Sequence, residues 1–154
     1  MGKSSMKKII IIFFCYLLGL VFISVTAFAN PYTYKITRVI DGDTVEFQAD
    51  FMPDPLPKKL SIRVLGVDTP EKGHRAACPK EAAAAEKASQ FTKDTLNNAI
   101  KAKQSIQIEL QSHDKYGGRV LGDVIINGQK LSALLIANGH ARPYFGEKKS
   151  SWCN

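Results

Sequence analysis

Hydrophobic and polar positions change their spacing several times along this chain, and each change predicts an element. Ile9 to Ile23 is a nearly unbroken apolar run. Tyr34 to Val39 alternates and is rich in β-forming residues, and between Thr44 and Gln48 the apolar Val45 and Phe47 alternate with Glu46 and Gln48. Period-two alternation predicts strands, and Asp41-Gly42 between the two runs is a tight-turn signal. Asp50 to Lys59 holds three prolines and no pattern, which predicts a loop. Leu60 to Val67 is mostly apolar and predicts a third strand buried on both faces. The period then becomes helical. Pro79 suits a first helical turn, Glu81 and Glu86 favour its N-terminal end, and Ala84, Ala88, Phe91, Thr95 and Ala99 recur at spacings of three and four, so a helix is predicted from Pro79 to about Lys101. Ile106, Ile108 and Leu110 predict a fourth strand, and Arg119 to Ile126 a fifth, ended by Asn127-Gly128. Leu131, Leu134 and Leu135 mark a short helix stopped by Gly139. Five strands with a helix between the third and fourth predict an α+β fold, a five-stranded OB-type β-barrel with two or three helices. Such barrels bind oligonucleotides, but the fold alone does not establish a function.

The N-terminal run changes the domain picture. Met1 to Lys8 is basic through Lys3, Lys7 and Lys8, and Ala27-Phe28-Ala29 follows the apolar run with small residues at signal-peptidase spacing. Residues 1–29 read as a signal peptide cleaved before Asn30, and 30–154 as one domain. The alternative is an uncleaved anchor, since about 20 apolar residues span a bilayer. Cleavage implies an exported protein, periplasmic or extracellular, with no stable membrane association. It also lowers the net charge from +7 to +4, because three lysines and no acids leave. That excess fits an anionic partner without requiring one. Cys15 leaves with the signal, and an even pair, Cys78 and Cys153, remains. In an exported chain this suggests one disulfide, with two free thiols as the alternative. The bond would tie the tail to the start of the long helix, where Trp152 could pack.

Polar residues that the alternation leaves over concentrate in three segments: Ile40-Asp41-Gly42-Asp43-Thr44, Arg63 to Glu71, and Asp114-Lys115-Tyr116-Gly117-Gly118-Arg119. The first taken alone is an ordinary hairpin turn. Asp68-Thr69-Pro70-Glu71 could be a helix cap, and the third segment a β-turn. Arg63, however, stands among Ile62, Val64 and Leu65, where an arginine needs an anion. Taken together, Asp43 and Asp68 are hard-oxygen ligands of the kind calcium takes, at the ends of two strands. Glu71 could activate water, and Arg63 and Arg119 are planar forks suited to phosphate oxygens. No Cys and His cluster has zinc spacing, and His74, His113 and His140 are isolated, with His113 read as a surface residue.

In these motifs the chain resembles the staphylococcal nuclease-like family from about Tyr34 to Trp152. Three segments carry the likeness in order: Val39 to Val45, Arg63 to Glu71, and Asp114 to Arg119. The resemblance implies a Ca²⁺-dependent phosphodiesterase acting on DNA and RNA, leaving 3′-phosphate and 5′-hydroxyl ends. It implies that Asp43 and Asp68 bind calcium with the backbone oxygen of Thr69. Glu71 would be the general base, and Arg63 and Arg119 would bind phosphate. Lys115, Tyr116 and Tyr144 are carried over as substrate-binding positions, with stacking that favours single strands. A monomer is expected. An inactive OB-type nucleic-acid-binding module is the competing function. Gly117-Gly118 adds one glycine to the commonest form of its motif, which a wider turn would absorb.

Overall fold

The computed structural model describes residues 33–114 and 118–154. The expected signal peptide, with Cys15, and the expected substrate-binding residues Lys115 and Tyr116 lie outside that set. Eight strands and two helices follow in order: β1 (Ile36–Asp41), β2 (Thr44–Gln48), β3 (Lys59–Val64), β4 (Val67–Asp68), α1 (Pro79–Lys101), β5 (Ile106–His113), β6 (Arg119–Ile126), β7 (Gln129–Lys130), α2 (Leu131–Ala137) and β8 (Arg142–Pro143). A single 3₁₀ turn, Gly73–Arg75, precedes α1. The five long strands pair in the order β1-β2-β3-β6-β5, with β7 added to β6. All these ladders are antiparallel except β3 with β6. This is an α+β, OB-like fold. Among the described residues no ladder joins β1 to β5, as in the partly open barrels of this class.

The alternation sorts side chains as a half-buried sheet requires. Val45 and Phe47 of β2 are fully buried, and Phe47, Ile62, Leu96, Ile108, Leu131 and Leu135 are the largest such side chains in one core. Each contributes about 1.5–3 kcal/mol relative to exposure. The expectation of a continuous third strand buried on both faces is corrected. Ile62 and Val64 are buried, whereas Leu60, Ser61 and Arg63 are only half-buried. The strand also stops at Val64, because Gly66 takes φ +76° and turns the chain. The remainder, β4, pairs with β8 instead of β6. A left-handed φ is open to glycine at little cost and to other residues rarely.

Helix α1 has the predicted bounds but a different buried face. Ala88 and Ala99 are buried as expected, while Ala84 and Thr95 give way to Ala85, Ser89, Thr92 and Leu96. Two polar residues are tolerated inside because each finds a carbonyl. Ser89 Oγ donates to Ala85 O at 2.9 Å, and Thr92 Oγ1 donates to Gly42 O at 2.7 Å. The second bond pins the β1–β2 turn to the helix. A Cβ built at Gly42 would lie 2.9 Å from Ala88 Cβ and 3.1 Å from Thr69 Cγ2, so only glycine lets the turn approach both. Thr92→Val keeps the volume and leaves the buried Gly42 carbonyl without its donor. It should therefore cost about 1–3 kcal/mol in urea unfolding. A change within about 0.5 kcal/mol, the usual range for inert surface substitutions, would mean that the turn is held by other contacts.

Candidate functional site

The tight β1–β2 turn places Asp43 where water hardly reaches it. Its side chain is 2% exposed, accepts from Thr44 Oγ1 at 3.0 Å, and pairs with Arg63 Nη1 at 2.9 Å. Arg63 stands beside it because Thr44 and Arg63 are partners in the β2–β3 ladder. The Asp43 carbonyl also accepts from Val64 N at 2.8 Å. Burial pushes the Asp43 carboxyl up to about 6. Arg63 opposes the shift, and the neighbouring Asp41 carboxylate reinforces it. Asp41 has one buried oxygen, Oδ1, without a hydrogen bond, and its Oδ2 lies 3.6 Å from Arg75.

Asp68 and Thr69 follow the Gly66 turn and are both buried. Asp68 Oδ2 accepts from the indole Nε1 of Trp152 at 3.0 Å. Its Oδ1 has the Lys149 ammonium at 2.7 Å but accepts no well-angled hydrogen bond. Lys149 also reaches Glu71 Oε1 at 3.2 Å, and Arg75 Nε lies 3.3 Å from Glu71 Oε2. The backbone of this segment is held from α1. Glu81, itself buried, accepts from Glu71 N at 3.2 Å and Ala77 N at 2.7 Å.

A groove of about 960 Å³ has a lining that includes Asp41, Asp43, Arg63, Thr69, Glu71 and Arg119. Tyr144, Phe145 and Lys149 line it too, and Phe145 is 86% exposed. His113, exposed as expected, is at its edge. Asp68 lines an adjoining recess with Trp152 and Glu81, and the two recesses share Glu71, Arg75 and Lys149. Arg119 pairs with Asp114 at 2.5 Å, and Asp114 N donates to Arg119 O at 3.1 Å. Arg119 lines the same groove as Arg63, two residues off in the parallel β3–β6 register, where Ser61 faces Arg119 and Arg63 faces Leu121.

Among the described residues no three His, Cys, Asp or Glu side chains form a cage for a metal ion. The donors present fit a hard cation that completes its shell with carbonyls and water. Asp41 Oδ1 and Asp68 Oδ1 are buried oxygens short of hydrogen bonds, and Asp43 is a buried carboxylate that needs positive charge. The sequence reading missed three residues. Glu81 was visible only as a helix-start acid, Lys149 only as one of a charged tail, and Arg75 only as a neighbour of the motifs, while Asp41 stood within the first of them. Trp152 was expected against α1. Its ring lies under the Arg142 guanidinium, 3.9 Å from the ring centroid, its N–H is on Asp68, and it shares a recess with Glu81 of α1. The indole goes where a buried carboxylate can accept its proton.

Comparison with known proteins follows the same lines. The family described as Staphylococcal nuclease homologue matches residues 61–152. The chain is 36% identical over 119 residues to the thermonuclease of Staphylococcus hyicus, covering 76% of this chain and 62% of that protein. It is 33% identical over 115 residues to the thermonuclease of Staphylococcus intermedius, covering 73% and 60% respectively. The matched part is under two thirds of the length of either relative.

The raised Asp43 pKa has a definite consequence for stability. The folded chain binds the Asp43 proton more tightly than the unfolded chain, so this group's contribution is fullest below pH 4 and is lost as pH rises through about 6. In chelator, the stability of wild type relative to Asp43→Asn should fall between pH 4 and pH 6.5 in denaturant titrations. A difference that is flat or rises with pH would show that Arg63, and not burial, governs the carboxylate.

Proposed function

The chain belongs to the staphylococcal nuclease homologue family, and from that premise we propose that it is an exported, Ca²⁺-dependent nuclease hydrolysing DNA and RNA to 3′-phosphate and 5′-hydroxyl ends. One observation carries the reading: Arg63 and Arg119 line the same groove as Asp43, Thr69 and Glu71. Two guanidinium forks beside carboxylates suit a substrate that is anionic and reacts at phosphorus.

Asp43 and Asp68, with the Thr69 carbonyl, would hold calcium, which when bound supplies Lewis-acid polarisation of a phosphoryl oxygen. Glu71 would take the proton of the attacking water. Its two oxygens lie against Lys149 and Arg75, so its position is set before substrate arrives. Arg63 and Arg119 would hold the non-bridging phosphate oxygens and meet the charge that grows on them as the P–O5′ bond breaks. Tyr144, on the groove wall, would stack a splayed base, and Tyr116 would do the same. That favours single strands over duplex, in a protein that acts as a monomer. Export is supported by the Cys78–Cys153 disulfide. Among the described residues no helix is long and apolar enough to cross a membrane.

Glu71→Gln should lose about 10²–10⁴-fold in kcat, the range of general-base catalysis. Arg63→Lys should fail as well, since an ammonium cannot give the bidentate fork. Calcium should be required, and magnesium, which demands stricter octahedral geometry, should replace it poorly. The assay is degradation of denatured DNA, native DNA and RNA with calcium, magnesium or chelator. Retarded but intact nucleic acid would instead identify an OB-type binding module. Full turnover in chelator would remove the metal from the reaction.

A further inference from the structure

We propose that Trp152, presented by the Cys78–Cys153 disulfide, is a positioning residue that aims the Asp68 carboxylate for metal binding. The inference rests on the reading of Asp68 as a metal ligand.

Asp68 is buried, and its orientation is fixed by a closed circuit of contacts. Its backbone, in β4, pairs with Arg142 in β8. The Arg142 guanidinium covers the Trp152 ring at 3.9 Å and donates to Ser151 O at 2.9 Å. The indole Nε1 then donates to Asp68 Oδ2 at 3.0 Å. One carboxylate oxygen is thereby engaged, and Oδ1, which accepts no well-angled hydrogen bond, is left for a cation. In its place now sits the Lys149 ammonium, from the same tail, at 2.7 Å. Carboxylate ligands are commonly oriented by hydrogen bonds from outside the coordination shell, and losing such a partner typically costs about 10–100-fold in metal affinity.

The tail that carries Trp152 has little secondary structure. No helix or strand follows β8, and the residues around Trp152 are held by side-chain contacts and the disulfide. Cys153 is bonded to Cys78, the N-cap residue of α1, with Cα atoms 6.0 Å apart. Lys80 of α1 also donates to the Asn154 carbonyl. Cys78 Sγ accepts from Glu81 N at 3.4 Å, and Glu81 holds the Glu71 backbone. The bond thus joins the two supports of the site, one behind Asp68 and one behind Glu71. Chain termini are poorly ordered unless tied down, so an indole one residue from the cross-link is placed by it.

Trp152 is the sole tryptophan of the chain, which supplies a direct readout without nucleic acid. Calcium titrated into the oxidised protein should change its tryptophan emission, saturating with the calorimetric binding isotherm. Trp152→Phe keeps an aromatic ring, smaller than the indole, and removes the donor. It should weaken calcium binding about 10–100-fold by calorimetry with unchanged far-UV circular dichroism. Reduction, or Cys78→Ser with Cys153→Ser, should weaken it in the same direction. Asp68→Asn separates the two claims. If it binds calcium like wild type, Asp68 is no ligand and the underlying reading falls. If it loses calcium while Trp152→Phe keeps wild-type affinity, only the positioning role falls. Emission that ignores calcium would also overturn that role. Should the reduced protein bind normally while Trp152→Phe does not, the indole acts without the disulfide and that half of the proposal is overturned.

Discussion

A carboxylate sealed from water must be paired or neutralised, and Asp43 imposes that requirement on everything around it. Its side chain is 2% exposed. Removing a charge from water costs several kcal/mol that only close, well-bonded partners offset. Arg63 meets the requirement from the next strand, which explains an arginine in the middle of an apolar run. The turn that carries Asp43 is held down by Thr92 from α1 and packed against Ala88 and Thr69, so sheet, helix and the Asp68 segment converge on one spot. The pair leaves the carboxyl with a pKa still raised to about 6, so Arg63 alone does not satisfy it. A further positive charge is the natural completion, and two other buried carboxylate oxygens, on the neighbouring Asp41 and on Asp68, lack good hydrogen bonds.

What was legible in the sequence follows from which signals are local. Strands β2 and β6 and helix α1 have the bounds that periodicity and Pro79 indicate, because alternation, helical spacing and a helix-start proline act within a few residues. The β3 reading failed where a backbone angle mattered: Gly66 at φ +76° splits the apolar run, and apolar content carries no trace of that. The face of α1 failed for a different reason. Ser89 and Thr92 look like surface residues until the carbonyls they serve are in place, and Gly42 lies 50 residues away in the chain. The three polar segments were visible because they interrupt apolar patterns. Their supports, Glu81, Lys149 and Trp152, interrupt nothing. An acid at a helix start and a lysine in a charged tail are locally ordinary, and only the fold brings them to Glu71 and Asp68. The disulfide was legible by counting, whereas the destination of the tryptophan next to it was not.

Among the described residues each arginine and lysine of the groove is already paired with an acid, and this bears on why the forks are arginines. Arg63 engages Asp43, Arg119 engages Asp114, Arg75 lies between Asp41 and Glu71, and Lys149 between Asp68 and Glu71. On the proposed function, a phosphate entering the groove would meet no unpaired arginine or lysine among the described residues that line it. It must bind to donors that remain after each cation has met its acid. A lysine ammonium is a compact point charge, and one held against two carboxylates, as Lys149 is, has its field largely cancelled. A guanidinium has five N–H donors spread over a plane. Arg63 turns Nη1 to Asp43 and Arg119 turns Nη2 to Asp114, and each fork keeps further donors on its other edges. The acids therefore orient the forks without exhausting them. With side-chain exposures of 23% and 35%, both arginines are confined enough to be aimed and open enough to be reached. On the proposed function, the same pairing would weaken the groove's long-range pull on nucleic acid, and salt screens what remains over about 8–10 Å. On that reading, recognition would depend on contact geometry at the phosphate more than on steering by net charge.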